Sequence, residues 1–454
     1  MKPPSKTLQL AALLQEHRTR PRPDIVEDAT RRTLFNIIAV AVGAARTPGV
    51  QRLAGLGPTG QVPCTPSMLA DPATTPEHAA LVTGFAGHYD DYDDTHLATV
   101  IHPAAAVLGT VWALGRGTHV SGADLLTAFA LGCETQLRLG VAVSPEHYDR
   151  GWHITGTCGV LGATVAAGLV SGLTAPQLEQ AISMACVRTL GHREAFGTEL
   201  KPLHAGLAAA NAVRIVRDVL ATGYEHVDID PVTMLMKAMA PDTADHRTIW
   251  QGFGEHWEIA SNALKPYPCG IVAHPGIDAA IVVNEALKTR KLDTSDIQHI
   301  EFRCHPLVPE LMGNANPHDD LQARFSAVHG VACGILYGRV GLAQFETAVA
   351  NDPAVARLRS RIVVHPDETI PRDSAHLTVG IRSSEPFIAS VRHARGSASR
   401  QLSSAEVLAK ADDLLCLGGG ATAPRLWQWV HELRSVAHDP WSELPAGELQ
   451  AVAQ

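Results

Sequence analysis

The sequence predicts a mainly α protein, in which a large all-helical domain carries a smaller α+β lid domain. Three observations predict it. Between residues 23 and 260 apolar side chains recur at intervals of three and four, and Gly, Pro or Asp separates the runs. After Lys265 the pattern changes to the alternation expected of strands. From residue 404 the helical period returns.

Residues 25–45, 76–87, 103–114, 121–139, 155–171, 175–190 and 203–221 read as helices. Hydrophobic residues make up 46% of the 454-residue chain but aromatics only 5%, so these helices are built mainly from Ala, Val, Leu and Ile. Ala163, Ala166, Ala167 and Gly168 fall on a face expected to point inward, where small side chains let helix axes approach closely. Beyond Lys265 the expected order is a helix at 275–286, a strand at 297–304, a helix at 327–337 and strands at 362–365, 376–381 and 387–393. A helix at 404–415 and two short apolar runs complete the chain. The domains are therefore expected at 1–264, completed by 402–454, and at 265–401.

Composition removes several function classes. Lys plus Arg number 37 against 46 Asp plus Glu, a net charge of -9 without any long basic run, so nucleic acid is not an expected partner. The apolar stretch 8–14 is interrupted by Gln9 and followed by Gln15, Glu16, His17 and Arg18, unlike a secretory signal. The least polar segment, 159–173, is shorter than the ~20 residues that span a bilayer, so no membrane partner is expected either. Eight cysteines are scattered, the closest two being Cys133 and Cys158, which reads as reduced thiols in a cytoplasmic protein.

Several motifs fail on inspection. Gly55, Gly57 and Gly60 match the dinucleotide fingerprint, but Pro58 lies inside it and no helix opens after it, so a surface loop is expected. No C-x-x-C pair exists to hold an iron-sulfur cluster, no H-E-x-x-H or P-loop occurs, and none of the 23 histidines has zinc-type spacing. No cofactor and no metal are expected. Asp90-Asp91-Tyr92-Asp93-Asp94 has the D-D-x-x-D form that holds Mg²⁺ in an isoprenoid synthase, a remote alternative that also needs a second metal motif and an aromatic-lined cavity.

Three segments set polar groups against densely apolar helices. They are His88 to His96 followed by His102-Pro103, Tyr148 followed by Trp152-His153-Ile154-Thr155-Gly156-Thr157, and Lys201-Pro202-Leu203-His204. Each falls at an expected helix start, where free N–H groups and the helix dipole favour an anion. Any one alone is an ordinary cap or an exposed side chain; three together point to a carboxylate pocket, locally positive within an acidic chain. A fourth segment, Lys265-Pro266-Tyr267-Pro268-Cys269 to His274-Pro275, sits where the helical texture ends, and domain boundaries favour clefts. A rigid Pro-rich linker is its competing reading.

These segments, with Gln322-Ala323-Arg324-Phe325-Ser326 and Ala394-Arg395-Gly396-Ser397, resemble the MmgE/PrpD family over most of the chain and in the right order. That family includes 2-methylcitrate dehydratase, cis-aconitate decarboxylase and iminodisuccinate epimerase. The resemblance implies a helical domain with an α+β lid, a homodimer, and cofactor-free chemistry on small polycarboxylates. In the decarboxylase branch the matching positions are Asp91, Thr95, His102, His153, Lys201 and Lys265. The histidine that this branch carries after the last lysine falls at Gly270, with His274 one turn later as the substitute. The epimerase branch is matched by Tyr148 and Lys201.

Removing a proton α to a carboxylate without a metal requires fixed positive charge to stabilise an enediolate-like state, and a base. Lys201, desolvated, is the expected base, with His102 or His153 as acid and Tyr148 as the epimerase-type partner. Asp91 and Thr95 are expected to orient His102 or bind substrate, Lys265 to clamp a distal carboxylate, and Thr155 and His274 to complete the substrate contacts. The resulting expectation is a lyase of the 2-methylcitrate dehydratase type, with an isomerase or a decarboxylase as alternatives.

Overall fold

The structure is a computed structural model that describes residues 5–67, 73–189, 191–222, 229–244, 246, 248–382 and 384–445. Residues 1–4 and 446–454, inside the domain bounds expected above, lie outside the described residues, as does Leu190 at the end of one expected helix.

Helices Asp24–Ala44, Pro76–Tyr89, Ala104–Gly115, Gly122–Val143, Ile154–Val170 and Leu200–Thr222 form the main bundle. Every residue of Ile154–Val170 is buried, because neighbouring helices surround it. Glycine makes this packing feasible: a Cβ on Gly132 would lie 2.8 Å from the Gly162 carbonyl oxygen, closer than any side chain tolerates. Ser121 caps one of these helices, and the Thr174–Gln177 capping box starts Ala175–Cys186.

The lid sheet has the strand order Ile362–Pro366, Ile297–Cys304, Ala375–Ile381, Phe387–Val391. The first pair is parallel and the others antiparallel. Along Ile297–Cys304 the residues Ile300, Phe302 and Cys304 are buried, while Arg303 faces out. Helices His274–Arg290 and Ala327–Tyr337 pack together in the lid, the former against the sheet. One hydrophobic core draws on residues between 10 and 264 and again between 402 and 444; a second draws on residues between 263 and 391. The returning helix Ser404–Gly418 lies so close to Asp24–Ala44 that a Cβ on Gly43 would come within 2.8 Å of Leu414 Cδ2.

The architecture is mainly α with a smaller α+β part, as the periodicity predicts. Helices Lys6–His17, Pro48–Gly55 and Pro231–Met239 were not foreseen. Lys6–His17 is capped by Ser5 and buries Leu10, Ala11 and Leu14 on one stripe. The segment expected as a loop at 55–60 is instead the end of a helix, a turn and the start of strand Thr59–Pro63, the reverse of the order that a dinucleotide site needs. Among the described residues no single helix is long and apolar enough to cross a membrane.

Candidate active site

The helix Pro76–Tyr89 ends just before the acidic segment, and Asp91 takes a left-handed conformation with φ 50°. Aspartate tolerates that region better than most residues, and the turn folds the loop back into the molecule. Asp90, Asp91, Asp93 and Asp94 are consequently all buried. Buried carboxylates require partners, and each has them. Asp90 pairs with Arg324 at 2.9 Å. Asp91 Oδ1 is 2.6 Å from Lys201 Nζ and 3.0 Å from Lys265 Nζ. Asp93 accepts from His102 Nδ1 at 2.9 Å through one oxygen and from His88 Nδ1 at 2.7 Å through the other. Asn262 Nδ2 donates to Asp94 at 2.6 Å.

Three helix starts meet at this loop. His102 lies two residues before Ala104–Gly115, its backbone N–H donating to Thr155 Oγ1 at 3.2 Å and its Nδ1 lying 3.2 Å from Thr95 Oγ1. His153 is the N-cap of Ile154–Val170, stacks on His88 at 5.9 Å between ring centroids, and shares a 2.9 Å Nδ1 to Nδ1 hydrogen bond with His204. Lys201 is the second residue of Leu200–Thr222, and its ammonium lies 5.6 Å from the Phe196 ring and 5.4 Å from the Phe325 ring.

The fourth segment is brought in by a two-residue antiparallel ladder, Asp94 opposite Leu264 and Thr95 opposite Ala263. Lys265 follows directly; its Nζ reaches the Asp91 carbonyl at 2.9 Å as well as the carboxylate. Lys410, from the returning helix Ser404–Gly418, donates to Asn36 Oδ1, the Tyr92 carbonyl and the Lys265 carbonyl at 2.8, 2.6 and 2.9 Å. It thereby ties the acidic loop to the Lys265 strand. His274 opens the helix His274–Arg290, its Nε2 donating to the Cys269 carbonyl at 3.2 Å. A Cβ on Gly270 would meet only the Met312 side chain, so a larger residue there requires that flexible side chain to shift. Tyr148 is buried at the margin, under the Arg193 guanidinium 4.3 Å from its ring centroid, and within electrostatic reach of Asp91.

Burial and charge set the protonation states. Burial, reinforced by the nearby lysines, lowers His102 to about 3 against the pull of Asp93, so its imidazole is neutral. With Nδ1–H donated to Asp93, its Nε2 carries the lone pair; the same tautomer in His88 leaves a buried Nε2 without a hydrogen-bond partner. Burial lowers Lys201, while Asp91 holds the proton on it. The two ammonium groups hold Asp91 far below the ordinary carboxylate range although burial opposes them. Asp94, buried beside Asp93, is raised to about 7.

The expected positive pocket is therefore a mixed one, in which Asp91 and Asp93 sit among the cations. Asp91 does not orient His102: its Oδ1 is 3.8 Å from His102 Nε2, and Asp93 does the orienting. His88, Asp91, Asp93 and His102 present ligand atoms within 4.8 Å of one another. That spacing suits a metal, but Lys201 and Lys265 already occupy the position of a cation beside Asp91. Every carboxylate of the D-D-x-x-D segment is likewise engaged by protein groups, which is not the arrangement of a Mg²⁺-diphosphate site.

Models of the MmgE/PrpD N-terminal domain and the MmgE/PrpD C-terminal domain match residues 8–225 and 267–425. The chain belongs to the MmgE/PrpD family. It is 29% identical over 310 residues to a cis-aconitate decarboxylase from Homo sapiens, covering 65% of this chain and 63% of that protein. A Mus musculus cis-aconitate decarboxylase is 28% identical over 320 residues, covering 65% and 62%. A 2-methylcitrate dehydratase from Escherichia coli (strain K12) is 24% identical over 377 residues, covering 77% and 75%. The chain spans less than two thirds of the length of the two decarboxylases.

In this MmgE/PrpD chain Asp91, Thr95, His102, His153, Thr155, Lys201 and Lys265 come together around one loop, with His274 and Tyr148 at its edges. Sequence reasoning gave no role to His88, Asp93 or Lys410. A signal existed for Lys410, which shares the stripe of Val407, Ala411 and Leu414 along an otherwise amphipathic helix. Asp93 had none, because only the left-handed turn at Asp91 reveals which carboxylate meets which partner.

Proposed function

We propose that this chain is a cofactor-independent lyase that abstracts a proton α to a carboxylate of a small polycarboxylate, in the manner of a 2-methylcitrate dehydratase. The observation that carries the reading is the Asp93–His102 pair facing the Asp91–Lys201–Lys265 cluster. His102 Nε2 takes the α proton, and Asp93 stabilises the imidazolium that forms. Lys201 and Lys265 neutralise the enediolate-like state. The β-hydroxyl then leaves as the α,β double bond forms, taking a proton from Lys201, whose burial-lowered pKa suits a general acid. The roles first expected for Lys201 and His102 are thus exchanged, because Asp91 keeps Lys201 protonated.

Decarboxylation is the second reading, favoured by the 28–29% identity to the decarboxylases against 24% to the dehydratase. The glycine at position 270, where the decarboxylase branch carries a histidine, weighs against it. Epimerisation would need Tyr148 on the opposite face of the reacting carbon. The protein is proposed to be a cytoplasmic homodimer; seven buried free thiols fit a reducing compartment. Incubation with 2-methylcitrate, citrate, cis-aconitate and iminodisuccinate, followed by NMR, tests the reading. Alkene formation from a hydroxy acid supports it; CO₂ loss from cis-aconitate or inversion of iminodisuccinate as the main reaction replaces it.

A further inference from the structure

We propose that Arg324 grips a carboxylate of the substrate where the lid domain meets the acidic loop; the assignment rests on the function proposed above and adds a specific anchor to it. Arg324 follows the short helix Asp320–Ala323 and is only 6% exposed. Its Nη2 pairs with Asp90, yet Nε and Nη1 are buried with no hydrogen-bond partner. A guanidinium has five donors and cannot shed its proton, so burying two of its nitrogens unmet is costly unless an anion arrives to meet them. Burial raises the Asp90 carboxyl while Arg324 pulls it back down, and the pair engages only Nη2 of the guanidinium.

The surroundings say which anion. Asp90 immediately precedes Asp91, the carboxylate that gathers Lys201 and Lys265. Phe325, next to Arg324, sets its ring 5.4 Å from Lys201 Nζ, and the Arg324 carbonyl accepts from Gly270 N–H at 3.5 Å. The buried Cys269 thiol lies within the fields of Lys265, Asp91 and Arg324 together. Arg324 is therefore linked to Asp91 through its partner Asp90 and to Lys201 through its neighbour Phe325, and it comes from the lid rather than from the helix that carries Lys201. A ligand with several carboxylates, one held at Lys201 and Lys265, meets this guanidinium with another. Planar recognition of a carboxylate is the task to which arginine is suited and lysine is not.

Calorimetric titration of the full chain with tricarballylate, glutarate and 2-methylsuccinate provides the test, since the two dicarboxylates each lack one carboxylate of the first. For Arg324→Gln the account predicts a ten- to hundredfold loss of tricarballylate affinity. At least one of the dicarboxylates should change less than threefold. Arg324→Lys, which keeps a charge beside Asp90, should still lose at least fivefold for tricarballylate, and it carries the test if the glutamine variant does not fold. Equal losses for all three ligands would reduce Arg324 to a domain strut and overturn the assignment, as would unchanged affinities. Wild-type protein that binds none of the three overturns the proposed function and this anchor with it, whereas a binding wild type with insensitive variants overturns the anchor alone.

Discussion

At the scale of the residue, chemistry is decided by which oxygen meets which nitrogen. Two adjacent-looking aspartates have different work: Asp91 gathers lysines and Asp93 fixes the tautomers of His88 and His102. Asp93→Asn should therefore lower kcat on 2-methylcitrate on the order of 10²–10³-fold, because an amide can present N–H to His102 and turn the ring over. Asp94→Asn should retain most of that kcat, since Asp94 is raised to about 7 and makes its hydrogen bond to Asn262 rather than to a histidine. Steady-state kinetics of the pair checks both; similar losses in the two variants would contradict the assignment. The sequence displays all four aspartates without ranking them. The ranking depends on Asp91 adopting a positive φ, a choice made by tertiary packing.

At the scale of the element, the site is a junction. Three helix starts supply His102, His153 and Lys201, and these were legible because each polar group directly precedes or opens a run of small apolar residues. The two-residue ladder that delivers Lys265 was not legible, being too short to show alternation. Nor were the partners of Lys410, whose strut links segments more than 140 positions apart, although its place on the buried stripe of its helix was. Lys410→Met should cost about 2–4 kcal/mol, because it strands two buried carbonyls and a side-chain amide. A urea titration reads this as a lower midpoint with unchanged slope; an unchanged midpoint would show that the strut contributes nothing. Gly270→Ala should cost about 1–3 kcal/mol through overpacking against Met312, and pairing it with Met312→Ala should recover part of that loss.

At the scale of the whole molecule, the helical bundle and the lid have separate cores, one drawn from residues between 10 and 264 and between 402 and 444, the other from residues between 263 and 391. Holding so many ionisable groups inside has a consequence for stability. His102 and His274 are lowered to about 3, and His147, His204 and His329 to about 4, each chiefly by burial. In the unfolded chain they bind protons below an ordinary value of 6.5, whereas in the folded chain they stay neutral, so the unfolded state gains as pH falls. Asp94, Asp90 and Glu134 have the opposite sign, since carboxyls raised by burial favour the folded state on acidification, but they are three groups against five. The melting temperature should therefore drop steadily from pH 6.5 towards pH 5, above the range in which ordinary carboxylates titrate. A flat profile across that window would mean that these histidines are not held neutral.

In the proposed reaction His102 moves an α proton beside a lysine clamp. The most direct test of that step is proton exchange in D₂O with EDTA present, followed by NMR on 2-methylcitrate and cis-aconitate with the wild type and with His102→Gln. The account predicts deuterium at the carbon next to a carboxylate, or turnover at that carbon, for the wild type in chelator, and at least a hundredfold slower reaction for His102→Gln. Exchange that persists in His102→Gln, or that disappears from the wild type when EDTA is added, would contradict it.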